Sequence, residues 1–260
     1  MTSQNEELFQ QYLESNALIG VDFVPAQVLQ MKTSRTTQKK TASTTKKKVP
    51  LKAASTTSSS TTSSRGKGKR AGELEKIRKR HDATCPHCTK VEDITQTVFG
   101  EGNPEADLMF VGEAPGAEED RLGRPFVGRA GQKLDQIIEA MSMTRDEVYI
   151  ANILKARPPN NRTPLRGEID QCAPFLTEQI HAIRPKVIVT LGGPATKFLL
   201  KTDTGITRLR GQWTTWISGD LEVDLMPTFH PAYLLRNYTV ETRQQVWSDM
   251  QAVVDRLEQR

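Results

Sequence analysis

The amino-acid sequence predicts an α/β fold of three layers, in which a central, mainly parallel β-sheet lies between two layers of helices. Short apolar runs of strand length alternate after residue 107 with longer segments whose apolar residues recur at helical spacing. Polar or glycine-rich loops follow the apolar runs, as they do at the carboxyl ends of parallel strands. Strand, helix and strand in repetition indicate crossover connections, which are typical of parallel sheets covered on both faces.

The first predicted strand is the wholly apolar run 108–111, and a Gly/Pro-rich turn follows at 112–116. Residues 146–150 predict a second strand, which leads to Asn152. Between the two strands we expect a helix, because its apolar residues repeat at helical spacing. Those residues are Leu134, Ile137, Ile138 and Met141.

The second half of the chain continues the alternation. We expect a helix over about 165–183, a strand over 186–191, a helix from Pro194 to Leu200, a strand over 221–226 and a helix over 241–258. The loops after residues 111, 150, 191 and 226 would then leave carboxyl ends of strands. In an open α/β sheet such loops meet at one crevice, where ligands bind.

Composition divides the chain into three parts. Residues 1–30 contain apolar residues that could form one short helix, 31–72 predict a disordered basic linker, and 73–260 predict the globular domain. The linker consists largely of Lys, Arg, Ser and Thr, so it cannot bury enough apolar surface to offset its chain entropy.

The linker concentrates positive charge, although the net charge of the whole chain is only +5. It contains no Asp or Glu. Its twelve basic residues are Lys32, Arg35, Lys39, Lys40, Lys46, Lys47, Lys48, Lys52, Arg65, Lys67, Lys69 and Arg70. Such a polycation binds a phosphate backbone through counterion release and without reading sequence, so we expect the linker to bind DNA phosphates. A solubilising linker and a localisation signal are the alternatives.

Location and redox state follow from what the sequence lacks. No stretch is apolar enough to span a membrane, and the N-terminus lacks the pattern of a signal peptide, so we expect no membrane partner and an intracellular protein. Three cysteines in a reducing compartment favour metal binding or burial over disulfides. Cys85 and Cys88 form a CxxC motif, which alone is compatible with zinc, an iron–sulfur cluster or a redox pair.

Two motifs carry a family resemblance. Residues 112–120 read GEAPGAEED and are followed at 123–131 by GRPFVGRAG, while residues 230–236 read HPAYLLR. Together they resemble the motifs of the iron–sulfur uracil-DNA glycosylases, usually called family 4, from about Cys85 to the C-terminus. The resemblance implies a uracil-DNA glycosylase-like α/β domain that hydrolyses the N-glycosidic bond of deoxyuridine in DNA, releases uracil and leaves an abasic site.

The resemblance also implies roles for individual residues. Departure of uracil builds negative charge on the base, and His230 is the expected anion stabiliser. Asn152 can donate to O4 and accept from N3–H of uracil, which rejects cytosine, and Phe126 offers a stacking face. The expected catalytic set is Glu113, Glu119, Asp120, Asn152 and His230, and the expected uracil-binding set is Gly112, Glu113, Ala114, Phe126, Asn152 and His230.

Contacts to the DNA are expected from two segments. Residues 233–236 offer apolar side chains to fill the gap left by a flipped base, next to an arginine for phosphate. A loop at 208–211 offers further backbone contacts. The expected DNA-binding residues are Tyr233, Leu234, Leu235, Arg236, Arg208 and Arg210.

The expected metal ligands depart from the family pattern at one position. Family members hold a 4Fe-4S cluster with a CxxC, a cysteine in a segment like NxxKCRPPxNR and another in a helix like CxPFL. Here Cys85, Cys88 and Cys172 are present, but the remaining position is Ala156. We rank an iron–sulfur cluster first, with His87 or His81 as a substitute ligand. A three-iron form, loss of the cluster, and zinc on the three cysteines and a histidine stay open.

Two other functions compete with this hypothesis. One is a non-catalytic module that binds damaged or single-stranded DNA on the same fold. The other is a nucleotide enzyme that holds Mg²⁺ on its acidic loop, against which stands the absence of a GxxxxGK[ST] motif. We expect uracil-containing DNA as the partner, no nucleotide cofactor, a monomer, and a cytoplasmic location associated with the nucleoid.

Overall fold

The protein is described by a computed structural model that covers residues 64–91 and 93–259. The helices are α1 (Ser64–Thr84), α2 (Ala117–Leu122), α3 (Arg129–Ala140), α4 (Arg166–Ile183), α5 (Gly193–Leu200), α6 (Ile206–Leu209), α7 (Pro231–Arg236) and α8 (Val240–Glu258). The strands are β1 (Glu101–Gly102), β2 (Leu108–Gly112), β3 (Tyr149–Asn152), β4 (Val187–Leu191), β5 (Thr214–Ser218) and β6 (Leu221–Thr228).

The strands form one sheet in the order β1-β3-β2-β4-β6-β5. The four central strands are parallel, whereas β1 pairs with β3 and β5 pairs with β6 in the antiparallel sense. The prediction of a mainly parallel α/β sheet is therefore confirmed. The chain passes from β2 to β3 on one side and then to β4 on the other, so the strand order reverses beside β2 and opens a crevice at the carboxyl edge.

Alternate residues of the central strands face opposite layers of helices. Met109 and Val111 pack in one apolar core, with residues of α1, α4 and α5. Leu108 and Phe110 pack in the other core, with residues of α3, α7 and α8. All five residues of β2 are buried, which explains why this strand reads as a continuous apolar run.

Helix α1 corrects the predicted end of the basic linker. Leu74, Ile77 and His81 are buried at helical spacing, and Arg70 donates a hydrogen bond to the carbonyl of Ile183 at the end of α4. This packing stabilises a helix that begins at Ser64, so residues 64–72 belong to α1 and not to the linker. The predicted segment 1–30 and the linker residues 31–63 lie outside the described residues.

The described helices include none with the length and apolar character needed to cross a membrane.

Candidate active site and metal centre

The crevice forms where the carboxyl ends of β2 and β3 meet the loop that holds Phe126. A side chain at Gly112, the last residue of β2, would place its Cβ 2.4 Å from Asn152 Oδ1 and 2.5 Å from Phe126 Cζ. Only glycine leaves room for both neighbours. The ring of Phe126 in turn lies 5.7 Å from the ring of His230, centroid to centroid. The structure thus brings Gly112, Phe126, Asn152 and His230 close together.

His230 is the N-cap of α7, and its Nδ1 accepts a hydrogen bond of 3.0 Å from the backbone N–H of Ala232. An accepting Nδ1 places the ring proton on Nε2, which leaves Nε2–H as a donor. Burial, reinforced by the charge of Arg236, lowers the pKa of His230 to about 4. The imidazole is therefore neutral at physiological pH. Gly192, at φ 91°, allows this close approach, because a Cβ there would lie 3.0 Å from His230 Cβ.

Asn152 ends β3 with a side chain that is only 1 % exposed. Its Oδ1 has no hydrogen-bond partner among the described residues. A buried amide oxygen without a partner costs free energy, so this atom is available to a ligand. The backbone carbonyl of Asn152 is fixed by Lys155, whose Nζ donates to it at 2.7 Å and to Gln179 Oε1 at 2.6 Å. Burial lowers the pKa of Lys155 to about 8.

Phe126 is held in a left-handed conformation, with φ at 50°. Arg145 fixes the turn, because its guanidinium donates to the carbonyls of Phe126 and Pro125 while it pairs with Glu101 and Asp135. Gly131 permits the turn to pack closely, since a Cβ there would lie 2.0 Å from the carbonyl of Phe126. A buried ring on a braced backbone is suited to stacking against a planar ligand.

Glu113 follows Gly112 and is half-buried. Its Oε1 has no partner among the described residues, and burial raises the pKa of its carboxyl group. Its backbone carbonyl accepts the N–H of Leu154 at 3.1 Å, which ties the loop after β2 to the loop after β3. Ala114, beside it, is half-buried and packs against the core. The backbone of Glu113 is thus fixed, while its carboxylate oxygen Oε1 has no partner among the described residues.

Glu119, expected to be catalytic, has both carboxylate oxygens engaged with backbone amides. Oε1 accepts from Val127 N at 2.9 Å and from Gly128 N at 2.8 Å, and Oε2 accepts from Gly116 N at 3.2 Å. These charge-assisted hydrogen bonds join the loop after β2 to the turn that carries Phe126. Glu119 therefore positions the site.

Replacing Glu119 by Ala is expected to lower the free energy of unfolding by about 1.5–3 kcal/mol, because the backbone amides lose a charged acceptor. Urea unfolding measures the change. Glu118→Ala is the matched control, since exposed Glu118 pairs with Arg121 on the same helix and its loss should cost under about 1 kcal/mol. Equal destabilisation by the two variants would contradict this assignment.

Asp120 does not join the site, although it was expected to be catalytic. It is 4 % exposed, and its carboxylate accepts hydrogen bonds from Thr95 N at 2.9 and 3.1 Å and from Gln96 N at 3.4 Å. One residue along a helix turns a side chain by about 100°, which directs Asp120 into the segment before β1. The structure does not place Asp120 with the candidate site, because its carboxylate anchors residues 95 and 96.

The predicted DNA-binding segment 233–236 forms most of α7. Arg236 is exposed and Leu235 is half-buried, so both remain available to DNA. Tyr233 is half-buried and packs on Phe229 with ring centroids 4.7 Å apart. Leu234 is only 3 % exposed within the apolar core, so the structure does not present it to DNA as expected.

The two arginines that were predicted to bind DNA from the loop before β5 also differ in exposure. Arg208 is exposed on α6. Arg210 pairs with the buried carboxylate of Asp249 and donates to the carbonyl of Gln245 at 2.7 Å. Asp249 also accepts from Thr228 Oγ1 at 2.7 Å, so Asp249 connects α8 both to Arg210 and to the end of β6. The structure engages Arg210 in these internal contacts and does not support the predicted contact with DNA.

The three cysteines converge with a histidine from α1. Sγ of Cys172, on α4, lies 3.9 Å from Sγ of Cys85, 3.3 Å from Sγ of Cys88 and 3.9 Å from Nε2 of His81. All four residues are buried, and their ligand atoms lie within 4.8 Å of one another. This set, hereafter the Cys₃His cluster, fits a metal centre, because thiolate and imidazole are the usual ligands of structural metal sites.

The other expected histidine lies outside the cluster. His87 Nδ1 is 3.9 Å from Glu168 Oε1, and its Nε2 has no partner among the described residues. Ala156 is fully buried in the same core, and the backbone N–H of its neighbour Lys155 donates to Cys172 Sγ at 3.2 Å. The position of the missing cysteine therefore borders the cluster.

Sequence reasoning missed the residues that brace the site: Arg145, Lys155 and Asp249. Charged residues are mostly exposed, so the sequence does not reveal that a lysine or aspartate is buried unless its partner is known. Their partners come from 44, 24 and 39 residues away along the chain. Such pairs can be recognised only from the folded structure.

The fold is an α/β sheet whose candidate site lies where the strand order reverses, which is the usual place of ligand sites in such sheets. A family model described as the uracil DNA glycosylase superfamily matches residues 99–251. The chain therefore belongs to the uracil-DNA glycosylase superfamily, as the sequence motifs suggested.

Curated relatives specify the type. A type-4 uracil-DNA glycosylase from Sulfurisphaera tokodaii is 47 % identical over 169 residues, which cover 63 % of this chain and 76 % of the relative. A type-4 uracil-DNA glycosylase from Thermotoga maritima is 44 % identical over 180 residues, covering 69 % and 92 %. One from Archaeoglobus fulgidus is 38 % identical over 174 residues, covering 65 % and 86 %. The resemblance to this type is thus confirmed.

Proposed function

We propose that the protein is a DNA repair enzyme that hydrolyses the N-glycosidic bond of deoxyuridine in DNA and releases uracil. Membership of the superfamily and similarity to type-4 uracil-DNA glycosylases support the reaction class. The observation that carries the proposal is the unpartnered Oδ1 of buried Asn152, which lies beside the Phe126 ring. This amide and ring match the polar edge and flat face of a pyrimidine.

His230 stabilises the departing base. Cleavage leaves negative charge on uracil O2, and a donor that meets this charge in the transition state lowers the barrier. The neutral ring donates from Nε2, because Nδ1 is held by the N–H of Ala232. A neutral donor does not attract anions before the bond breaks, so its interaction strengthens as charge develops.

Asn152 selects the base. Its Oδ1 accepts from uracil N3–H, and its amide N–H donates to O4. Cytosine presents an acceptor at N3 and a donor at C4, so it would leave the buried amide mismatched. Phe126 stacks on the flipped base, and the Gly112 backbone lies close enough to close the pocket around it.

Glu113 is the carboxylate that we assign to the sugar and the water. It has an unpartnered oxygen, whereas Glu119 and Asp120 are engaged with backbone amides. As an anion it favours the positive charge that grows on the sugar and can orient a water toward C1′. Because burial raises its pKa, activity should fall on the acid side as Glu113 takes up a proton.

Contacts to DNA outside the pocket are assigned to the exposed residues Arg236 and Arg208, with Leu235 beside the flipped nucleotide. The basic segment 31–63 adds an electrostatic tether to phosphates. We propose that the enzyme works as a monomer inside the cell, next to the nucleoid that contains its substrate.

Deleting residues 1–63 is expected to weaken DNA affinity and flatten its salt dependence, while kcat at saturating DNA stays near that of the full chain. Eight basic residues are lost, and each phosphate contact contributes about 0.9 to the slope of log K against log salt. The deletion ends at residue 63 because α1 begins at Ser64. Binding titrations at several salt concentrations measure the slope.

The matched control keeps the length and replaces those eight basic residues by Gln. It should behave like the deletion if charge alone matters. An unchanged slope in both variants would show that this segment does not touch DNA.

The Cys₃His cluster supplies a structural metal centre that joins α1 and the CxxC loop to α4. An iron–sulfur cluster, expected from the family resemblance, and a single ion are both compatible with thiolate and imidazole ligands.

The full chain should cleave an oligonucleotide that contains deoxyuridine, in the presence of EDTA, and leave an abasic site. Alkaline cleavage of the labelled strand detects the product. Retention of the oligonucleotide without cleavage would instead indicate the non-catalytic binding module, and activity only with added Mg²⁺ would indicate a nucleotide enzyme.

A further inference from the structure

The Cys₃His cluster has the dimensions of a site for one metal ion. Zn–S bonds of about 2.3 Å in a tetrahedron separate two thiolates by about 3.8 Å, and a Zn–N bond of about 2.0 Å separates a thiolate from an imidazole nitrogen by about 3.5 Å. The sulfur pairs of Cys172 with Cys85 and with Cys88 lie at 3.9 and 3.3 Å, and its distance to His81 Nε2 is 3.9 Å. Every separation is within 4.8 Å.

A four-iron cubane does not fit this donor set. In a cubane each ligand binds a different iron, so the ligand atoms stand apart by an iron–iron edge plus the outward reach of two bonds. Ligand atoms that share one ion are much closer together. The cluster matches the second case, and the backbone around it is fixed by buried packing of α1 against α4.

His81 is oriented as a ligand. Its Nδ1 lies 2.8 Å from Asp82 Oδ1, which also accepts from Thr97 Oγ1 at 2.9 Å. A carboxylate that accepts from Nδ1–H leaves the lone pair on Nε2, the atom that faces the cysteines, and such carboxylate and histidine pairs are typical of zinc sites. Phe175 packs edge-on against the imidazole with ring centroids 4.9 Å apart, which restricts its rotation.

We propose that His81, Cys85, Cys88 and Cys172 bind a single tetrahedral Zn²⁺ ion in place of the iron–sulfur cluster. His81 supplies the donor that Ala156 does not. Zinc suits the set because three thiolates and one imidazole in a closed, buried tetrahedron form a common structural zinc site. The ion would join the C-terminal end of α1 and the CxxC loop to α4.

Metal analysis of the full chain, produced with iron and zinc both supplied, tests the proposal. The expected result is one zinc per chain, no acid-labile sulfide and no broad visible absorption. After exchange with Co²⁺, the protein should show the intense visible bands of tetrahedral cobalt bound to thiolates. Iron accompanied by acid-labile sulfide, or a chain without bound metal, would overturn the proposal.

Variants distinguish His81 from the other buried histidine. His81→Ala should lose most of the bound zinc and lower the Tm by about 10 °C, because the ion binds only the folded state. His81→Cys restores a fourth donor and should retain one zinc. His87→Ala is the matched control, since His87 is also buried but lies outside the cluster, and it should keep both the zinc and the cobalt spectrum.

If His81→Ala does not fold, the retention of zinc by His81→Cys and His87→Ala still tests the ligand set. Loss of zinc in His87→Ala, or full zinc content in folded His81→Ala, contradicts the assignment of His81. These measurements do not depend on glycosylase activity, so they remain informative even if the proposed reaction is wrong.

Discussion

His230→Ala is expected to lower the kcat of uracil excision by about 10²–10³-fold, because the departing base loses its charge-stabilising donor. The loss should appear in kcat more than in KM, since the interaction strengthens in the transition state. Single-turnover cleavage of a deoxyuridine oligonucleotide measures the chemical step. His181→Ala is the matched control, because that imidazole contacts Ser218 and Trp216 and takes no part in the crevice.

The pH dependence tests the same assignment. The pKa of His230 is lowered from about 6.5 to about 4, so in the folded protein the ring gains a proton only below about pH 4. The unfolded chain binds that proton already near pH 6.5, so this group reduces folding stability as the pH falls from about 6.5 to 4. Excision should show no change caused by His230 between pH 5 and 8.

Nitrogen-15 histidine spectra can follow the ring directly, because the chain contains four histidines. A His230 that titrates near pH 6.5, or excision that survives His230→Ala unchanged, would contradict the proposed donor.

The central sheet could be predicted from the sequence because its strands are buried on both faces. β2 and β4 are fully buried and read as short apolar runs between helical segments. The edge strands gave weaker signals. β1 has two residues, and β5 alternates between exposed and buried residues beside a tight turn, so both depend on a neighbouring strand for their pairing.

The candidate site was predicted in part. Asn152, Phe126 and His230 follow strand ends or sit in a Gly/Pro-rich turn, where local geometry fixes their direction. Glu118, Glu119 and Asp120 are adjacent in sequence, but successive helical residues point about 100° apart. One is exposed, one binds the amides of Val127 and Gly128, and one is buried against Thr95. The same rotation buries Leu234 between half-buried neighbours.

The sequence also predicted the metal ligands only in part. The sequence identified three cysteines and the missing fourth position at Ala156, but it left His81 and His87 as alternatives. His81 lies one helical turn before Cys85, on the face of α1 that also buries Leu74 and Ile77. The length and packing of α1 decide the choice, and both depend on contacts with α4 that are distant in sequence.

Asn152→Ala is expected to lower kcat/KM for uracil excision by about 10²–10⁴-fold, because the pocket loses the amide that reads N3–H and O4. Discrimination against cytosine should weaken as well, since the mismatched amide that excludes it is gone. Cleavage of matched oligonucleotides with deoxyuridine or deoxycytidine at one position measures both effects. Asn103→Ala is the control, because Asn103 lies before β2, at the opposite edge of the sheet, and its side chain accepts the N–H of Glu105.

Stability should not fall together with activity in Asn152→Ala. Oδ1 of Asn152 is buried without a partner among the described residues, so truncation removes an unsatisfied polar atom and no internal hydrogen bond. The backbone carbonyl that accepts from Lys155 is retained in the variant. We therefore expect the Tm to stay level or rise while excision is lost. This pattern is typical of a residue that serves ligand binding rather than stability. A large fall in Tm would instead show that Asn152 supports the fold, and its loss of activity would then say nothing about base recognition.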